Sequence, residues 1–273
     1  MTILAAIKIK VENEENLSNG DKIKVTVNVD QEKTKKIKGG TKEFKVSGLD
    51  EPKKLSTEAA EKHLVPVFSG VSGRGTVKFE NTFSDELRNV YFTAKNNGKL
   101  SNGDEVELEI DDSFKKSLIH HGYVLDETFE PKYKVKNLHV VADQAKDIAN
   151  LEDIKRIINE EMQKQYGKSF IYSYKVKHEN YMYRKFEPGE VDASKWTESG
   201  NLVGLYTVSR YSGDNLDSQY VVVRGFKNIY LDKNNKANIA DIMRNKINQS
   251  MDSSYSLETV VQMYEGYGYE IIE

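Results

Sequence analysis

The chain has 273 residues and no cysteine, one tryptophan and four prolines. Without cysteine there is no disulfide framework, no thiolate zinc site and no thiol nucleophile. An excess of either charge is missing as well: 40 Lys and Arg stand against 43 Asp and Glu, a net charge of −3. A dedicated nucleic-acid binder draws its affinity from neutralising phosphates, so no nucleic-acid partner is expected of this balance. No stretch reaches the roughly 20 apolar residues of a membrane helix. The opening run Met1 to Ile7 lacks the basic region, longer apolar region and cleavage site of a signal peptide. It passes instead into alternation, with Ile7, Ile9 and Val11 set against Lys8, Lys10 and Glu12. That is the period of a half-buried strand. What is present, 38% hydrophobic and 30% charged residues, suffices for two or three compact cores.

An internal repeat organises the first half. Residues 16–30 read NLSNGDKIKVTVNVD and residues 99–113 read KLSNGDEVELEIDDS. Leu17, Gly20, Asp21, Ile23, Val25 and Val27 align with Leu100, Gly103, Asp104, Val106, Leu108 and Ile110 at an offset of 83 (100 − 17). Matching closing strands follow, Phe44 to Leu49 and Tyr133 to Leu138, at an offset of 89 (138 − 49), so the second unit is six residues longer between them. Ser-Asn-Gly-Asp is turn chemistry: Asn tolerates and Gly favours a left-handed backbone, and Asp accepts from neighbouring amides. The alternation after it predicts an antiparallel sheet with one wet side.

Ahead of the second copy, Val67 to Phe79 carries Gly70, Gly73 and Gly75. It lacks the Gly-Lys-Ser/Thr ending of a phosphate loop and is followed by strand-like sequence, so it reads as a β-hairpin with a glycine-rich turn. Val90 to Lys95 reads as a further strand. Residues 64–138 then form a complete immunoglobulin-like β-sandwich repeat, and residues 1–50 a partial one that lacks the hairpin. A sandwich without its opening strands leaves edges and half a core open. The expectation is that the chain starts inside a longer protein; a naturally degenerate repeat is the alternative. Residues 51–63, with Pro52 and the helix-leaning Thr57 to Glu61, read as a linker.

The hairpin Phe-Ser-Gly-x-x-Gly-x-Gly-Thr, the Leu-Ser-Asn-Gly-Asp turn and the closing Val-x-Gly/Asn-Leu resemble repeats of Gram-positive envelope proteins. They are similar to those of the zinc-ribbon, teicoplanin-resistance-associated-like membrane proteins of Firmicutes. The resemblance covers about residues 1–138. It implies a cytoplasmic ribbon and one membrane span outside this chain, followed by tandem β domains on the cell surface.

From Asp143 to Gly167 the period turns helical, through Ile148, Leu151, Ile154, Ile157, Ile158 and Met162. Strands are predicted over Phe170–Val176, Tyr181–Phe186, Leu202–Tyr211 and Tyr220–Leu231. A helix capped by Asn238 is predicted over Ile239–Ile247, and a short helix and strand over the tail from Ser256. Residues 139–273 thus read as an α+β domain, a helix packed on an antiparallel sheet, NTF2-like or cystatin-like.

Candidate chemistry is sparse. Tyrosine is abundant, 16 in all, and concentrated in the last domain. Tyr172 with Tyr174, and Tyr181 with Tyr183, share strand faces; with Trp196 they form the candidate ligand-binding surface, because flat rings with polar tips stack on sugars or peptides. Filling of half-wet strand faces is the simpler alternative. Asp232 to Asn238 resembles a calcium loop but has Lys236 at a ligand position and no closing glutamate, so it reads as a polar turn. Asp111-Asp112 and Asp214/Asp217 are loop acids. His120 and His121, read as neighbours on one strand, would point to opposite faces and not chelate. No catalytic residue, metal or cofactor is expected. The reading is a non-catalytic extracellular region of a Gram-positive envelope protein. The repeats act as a stalk, and the last domain is a tip for a cell-wall component or another envelope protein. Contact with the membrane is expected only through a segment absent from this chain. An NTF2-like small-molecule or enzymatic pocket is the alternative, and a cytoplasmic scaffold the third.

Overall fold

The two Leu-Ser-Asn-Gly-Asp turns adopt one hydrogen-bonded geometry. In the computed structural model, which describes residues 6–12, 14, 17–167, 171–188 and 198–272, Ser18 N donates to Asp21 Oδ2 at 2.7 Å, and Ser101 N to Asp104 Oδ2 at 2.7 Å. Gly20 N reaches Val46 O as Gly103 N reaches Val135 O, and the return bonds Val46 N to Asp21 O and Val135 N to Asp104 O match. Asn19 brackets Leu49, its Nδ2 donating to the carbonyl at 2.6 Å and its Oδ1 accepting from the amide at 2.9 Å. Asn102 brackets Leu138 in the same way, at 2.8 and 3.0 Å. Gly20 and Gly103 carry φ of +102° and +96°, which an L side chain resists.

The strands keep equivalent registers too. In the first unit β1 (Ile7–Glu12), β2 (Lys22–Val29) and β3 (Gly40–Lys45) form an antiparallel sheet in which Val11 faces Val25 and Ile23 faces Phe44. In the second, Ala94 faces Leu108, and Val106 of β7 (Glu105–Glu107) faces Tyr133 of β9 (Lys132–Lys134). Residues 90–95 are held there by a single bridge rather than as a full strand.

The second unit is closed by elements on either side of this shared frame. β4 (Lys53–Leu55) and α1 (Thr57–His63) precede the hairpin β5 (Leu64–Ser69) and β6 (Thr76–Asn81); α2 (Asp112–His120) and β8 (Tyr123–Leu125) occupy the longer insert. Residues 51–63 are therefore not a linker. β4 pairs in parallel with β8, and Leu55 and Ala60 are buried with Leu64, Val77, Leu87, Val106, Leu118 and Tyr133 in one core. Burial of that short amphipathic turn decides its place, which its exposed-looking charges hide. His120 and His121 end α2 instead of lying on a strand, their rings 5.3 Å apart and edge to face. The helix starts where Asp111 Oδ1 accepts from Phe114 N at 2.7 Å, a capping use of the loop acid.

The last part is a five-stranded antiparallel sheet of order β13-β12-β11-β10-β14: β10 (Ser173–Phe186), β11 (Ser199–Ser212), β12 (Asn215–Phe226), β13 (Lys246–Ser250) and β14 (Glu270–Ile272). α3 (Leu151–Gln165) presents Ile154, Ile158 and Met162, one turn apart, to Leu202, Tyr206, Val208, Val222 and Phe226. The alternate residues Val203, Leu205, Val221 and Val223 meet Val260 and Tyr264 of α5 (Leu257–Gly266) on the other face. The sheet thus has helices on both sides, where the sequence suggested one. The helix expected over Ile239–Ile247 is one turn, α4 (Ile239–Ile242), capped by Asn238, after which the chain turns into β13. No helix among the described residues is long and apolar enough to cross a membrane.

The second unit and the last domain are locked together. The glycine-rich turn between β5 and β6 places Arg74 4.4 Å over the Phe186 ring and donates from its Nη2 to Glu187 O at 2.6 Å. His139 stacks on Tyr230 with ring centres 4.1 Å apart and planes 5° from parallel. Val140 bridges Leu231, and Ser72 N donates to His139 O at 2.8 Å.

Candidate functional site

A bulge aligns the tyrosines of β10. The register with β11 shifts between His178 and Asn180, so Glu179 is an extra residue and the alternation of faces resets. Tyr174 and Val176 before the bulge, and Tyr181 and Tyr183 after it, consequently all pack against the α3 side. Their roles diverge along the strand. Tyr183 is a core residue, buried, with its hydroxyl donating to Ala142 O at 2.8 Å. Tyr181 is half-buried at the rim of α3: its hydroxyl donates to Lys155 O at 3.1 Å, and the Lys155 ammonium lies 5.3 Å from its ring centre. Beside it Glu152, Arg156, Asn159 and Gln163 line a groove of about 690 Å³ that is open to solvent. Asn159 is held from within by buried Tyr206, whose hydroxyl donates to its Oδ1 at 2.6 Å.

Tyr172 and Tyr174 stand elsewhere, at the far end of the sheet. Tyr174 meets Tyr166, which caps α3, with ring centres 5.4 Å apart. The Arg210 guanidinium lies 4.9 Å from the Tyr172 ring centre. Arg210 is itself fixed by Asp217 across the β11–β12 turn, with Nε donating to Oδ2 at 2.6 Å. That bond raises the Arg210 pKa further, on a guanidinium that is charged in any case. Lys175 lies 5.0 Å from the Tyr211 ring centre. Burial and then the neighbouring Tyr166 push the Tyr220 hydroxyl up to about 12. The result is a set of half-exposed rings around one fixed guanidinium, flanked by exposed Ile171 and Leu216. Rings and a planar cation offer stacking and bidentate donation to sugars, peptides or carboxylates. Trp196 lies outside the described residues.

Arg210, Tyr166, Lys175 and Tyr220 were not among the sequence candidates for the binding surface, and Asp217 entered only as a loop acid. Tyr211-Ser212-Gly213-Asp214-Asn215 does carry the signal of a turn between two alternating runs. Pairing those runs across it is what brings Asp217, otherwise a loop acid, to Arg210. Asp232 closes its own polar turn, its Oδ1 accepting from Asn234 N at 2.8 Å and Lys236 N at 2.9 Å. Among the described residues no three His, Asp or Glu side chains converge as a metal site would need.

Comparison of the chain with protein-family models, curated proteins and solved structures finds no match.

Proposed function

We propose that the chain is a non-catalytic, extracellular part of a Gram-positive cell-envelope protein, in which immunoglobulin-like β repeats carry an α+β tip that binds a cell-wall component or another envelope protein. The position of the Tyr172–Tyr174–Arg210 cluster carries this reading. The last domain docks on the second unit through Phe186 and Glu187 at one end of β10, while the cluster sits at the other end. Thirteen residues of strand separate them, about 40 Å at ~3.3 Å per residue. A rigid joint at one pole and an aromatic patch at the other is how a stalk would present a contact surface. Both faces of the sheet between the poles are filled by helices, so the surface on offer is the end and not a cavity beneath the sheet.

Co-sedimentation of the full chain with purified Gram-positive cell walls tests it. Retention of the wild-type chain and loss in a Tyr172→Ala/Arg210→Ala double variant of unchanged thermal midpoint is the expected result. Equal retention of both, or none of either, counts against the tip. The groove beside Tyr181 supports a second reading, a small-molecule site of NTF2-like type. Under that reading Tyr181→Ala, not the double variant, abolishes ligand-induced thermal shifts.

A further inference from the structure

One edge of β9 stands open in the second unit. Tyr133 and Val135 are buried there, while Lys132, Lys134 and Lys136 between and beside them are exposed. The other edge is taken: Val135 N donates to Asp104 O at 2.8 Å and Gly103 N to Val135 O at 2.9 Å, and β7 pairs beyond. Backbone groups of successive strand residues turn to opposite edges, so those of the three lysines turn away from β7. Glu61 Oε1 accepts from the first of them, Lys132 N, at 3.1 Å. The amides and carbonyls of Lys134 and Lys136 meet no partner. They border a groove of about 550 Å³, open to solvent, which Glu61 of α1 and Pro66 of β5 also line. Pro66 has no amide to offer, so β9 is the side of the groove that can extend a ladder.

The occupied edge shows what kind of strand β9 takes. β7 and the residues after it read Glu105-Val106-Glu107-Leu108-Glu109. Glu105 faces Lys134, Val106 faces Tyr133 and Glu107 faces Lys132, so acids meet lysines on the wet side and apolar residues meet on the core side. On the open side Lys132 has Glu130 at 3.3 Å, but Lys134 and Lys136 have no ion pair. Lysines on an edge repel a second edge of the same sign, and an acidic strand is the one they accept.

We propose that the open edge of β9 receives an extended acidic segment of a partner protein, in which Glu or Asp alternates with apolar residues. The segment adds as a strand: its backbone bonds the free groups of Lys134 and Lys136, and its carboxylates face the two ammoniums. The site is in the second unit, and the inference is independent of what the last domain binds and of where the protein works.

The probe is a synthetic peptide of residues 104–110, Asp-Glu-Val-Glu-Leu-Glu-Ile, titrated into the full chain while amide hydrogen exchange is followed. The Lys134 and Lys136 amides are expected to slow ~10-fold at saturation, and the Lys132 amide, already bonded to Glu61, to change little. A scrambled peptide with its acids contiguous keeps the charge, loses the alternation, and is expected to leave them fast. Lys136→Glu alters an exposed side chain without an ion pair; it is expected to weaken binding ~5-fold and to leave the thermal midpoint in place. Unchanged Lys134 and Lys136 exchange at the highest peptide concentration overturns the proposal. So does equal protection by the scrambled peptide, or undiminished binding to Lys136→Glu. Protection that grows with protein concentration in the absence of peptide assigns the edge to a second copy and also overturns it.

Discussion

Asn102 holds Leu138 by both backbone groups, donating to its carbonyl at 2.8 Å and accepting from its amide at 3.0 Å, 36 residues away in sequence. A primary amide matches a peptide unit, so the side chain acts as one extra rung of strand between the turn and the closing segment. Asn97 does the same to Val77 and Asn150 to Ala237. Asn102→Ala removes two bonds and leaves the polar groups of Leu138 without partners at a buried position, a cost of about 2–3 kcal/mol. Asn19→Ala makes the same deletion at Leu49, where water takes over, and costs less than about 1 kcal/mol. Urea unfolding of the two variants is expected to separate them in that order; equal losses refute the role of burial.

Gly75 and Gly103 predict a second contrast. Gly75→Ala drives a methyl to 2.3 Å from Leu138 Cδ1 and 2.8 Å from Leu100 O, and the backbone oxygen has little room to retreat. Overpacking of this kind costs about 1–3 kcal/mol. Gly103→Ala meets nothing within 4 Å, and its φ of +96° leaves conformational strain alone, about 1–2 kcal/mol. A Gly75→Ala midpoint equal to wild type would show that the turn is not seated on Leu138.

The pair Asp85 and Tyr123 gives the second core a pH signature. The Tyr123 hydroxyl donates to Asp85, and this bond holds the carboxylate below its usual range and pushes the phenol up to about 12. For the depressed carboxyl, the stability is present above its unfolded pKa of about 3.9 and is lost as pH falls through the lower folded value. For the raised phenol, it is full below about pH 10 and is lost as pH rises through about 12. Tyr123→Phe is expected to flatten both limbs of the stability profile measured by urea unfolding from pH 2 to 12. A variant with unchanged limbs places the pH dependence elsewhere.

The parts of the fold legible in the sequence are those set by neighbouring residues. The Leu-Ser-Asn-Gly-Asp turn, the glycine-rich hairpin, the α3 stripe through Ile154, Ile158 and Met162, and the cap at Asn238 all declare themselves locally. The misreadings come from burial and pairing at a distance. Residues 51–63 show only Leu55, Ala59 and Ala60 as apolar positions beside Pro52, and only burial in one cluster with Val77 and Tyr133 makes Leu55 and Ala60 core. The bulge at Glu179 leaves no residue signature, yet it decides that Tyr181 and Tyr183 face α3. Position along the strand then divides the tyrosines grouped by spacing three ways: Tyr183 into the core, Tyr181 to the groove, and Tyr172 with Tyr174 to the pole. Arg210 carries no local signal, because its partner Asp217 lies across a turn.

The joint between the second unit and the last domain is narrow enough to be cut selectively. Its polar anchor is Arg74, whose guanidinium both donates to Glu187 O and covers Phe186, and its second anchor is the His139–Tyr230 stack. Neither belongs to a main core, so their loss leaves each core packed. Arg74→Ala gives up a hydrogen bond from a charged group, about 1.5–3 kcal/mol, and a cation–π contact of about 0.5–2 kcal/mol at a partly exposed site. Combined with His139→Ala, it is expected to split one calorimetric unfolding transition into two and to broaden the distance distribution in small-angle scattering. A single transition in the double variant would mean that the Val140–Leu231 bridge and the Ser72–His139 backbone bond suffice. The joint would then be held by the main chain and not by these side chains.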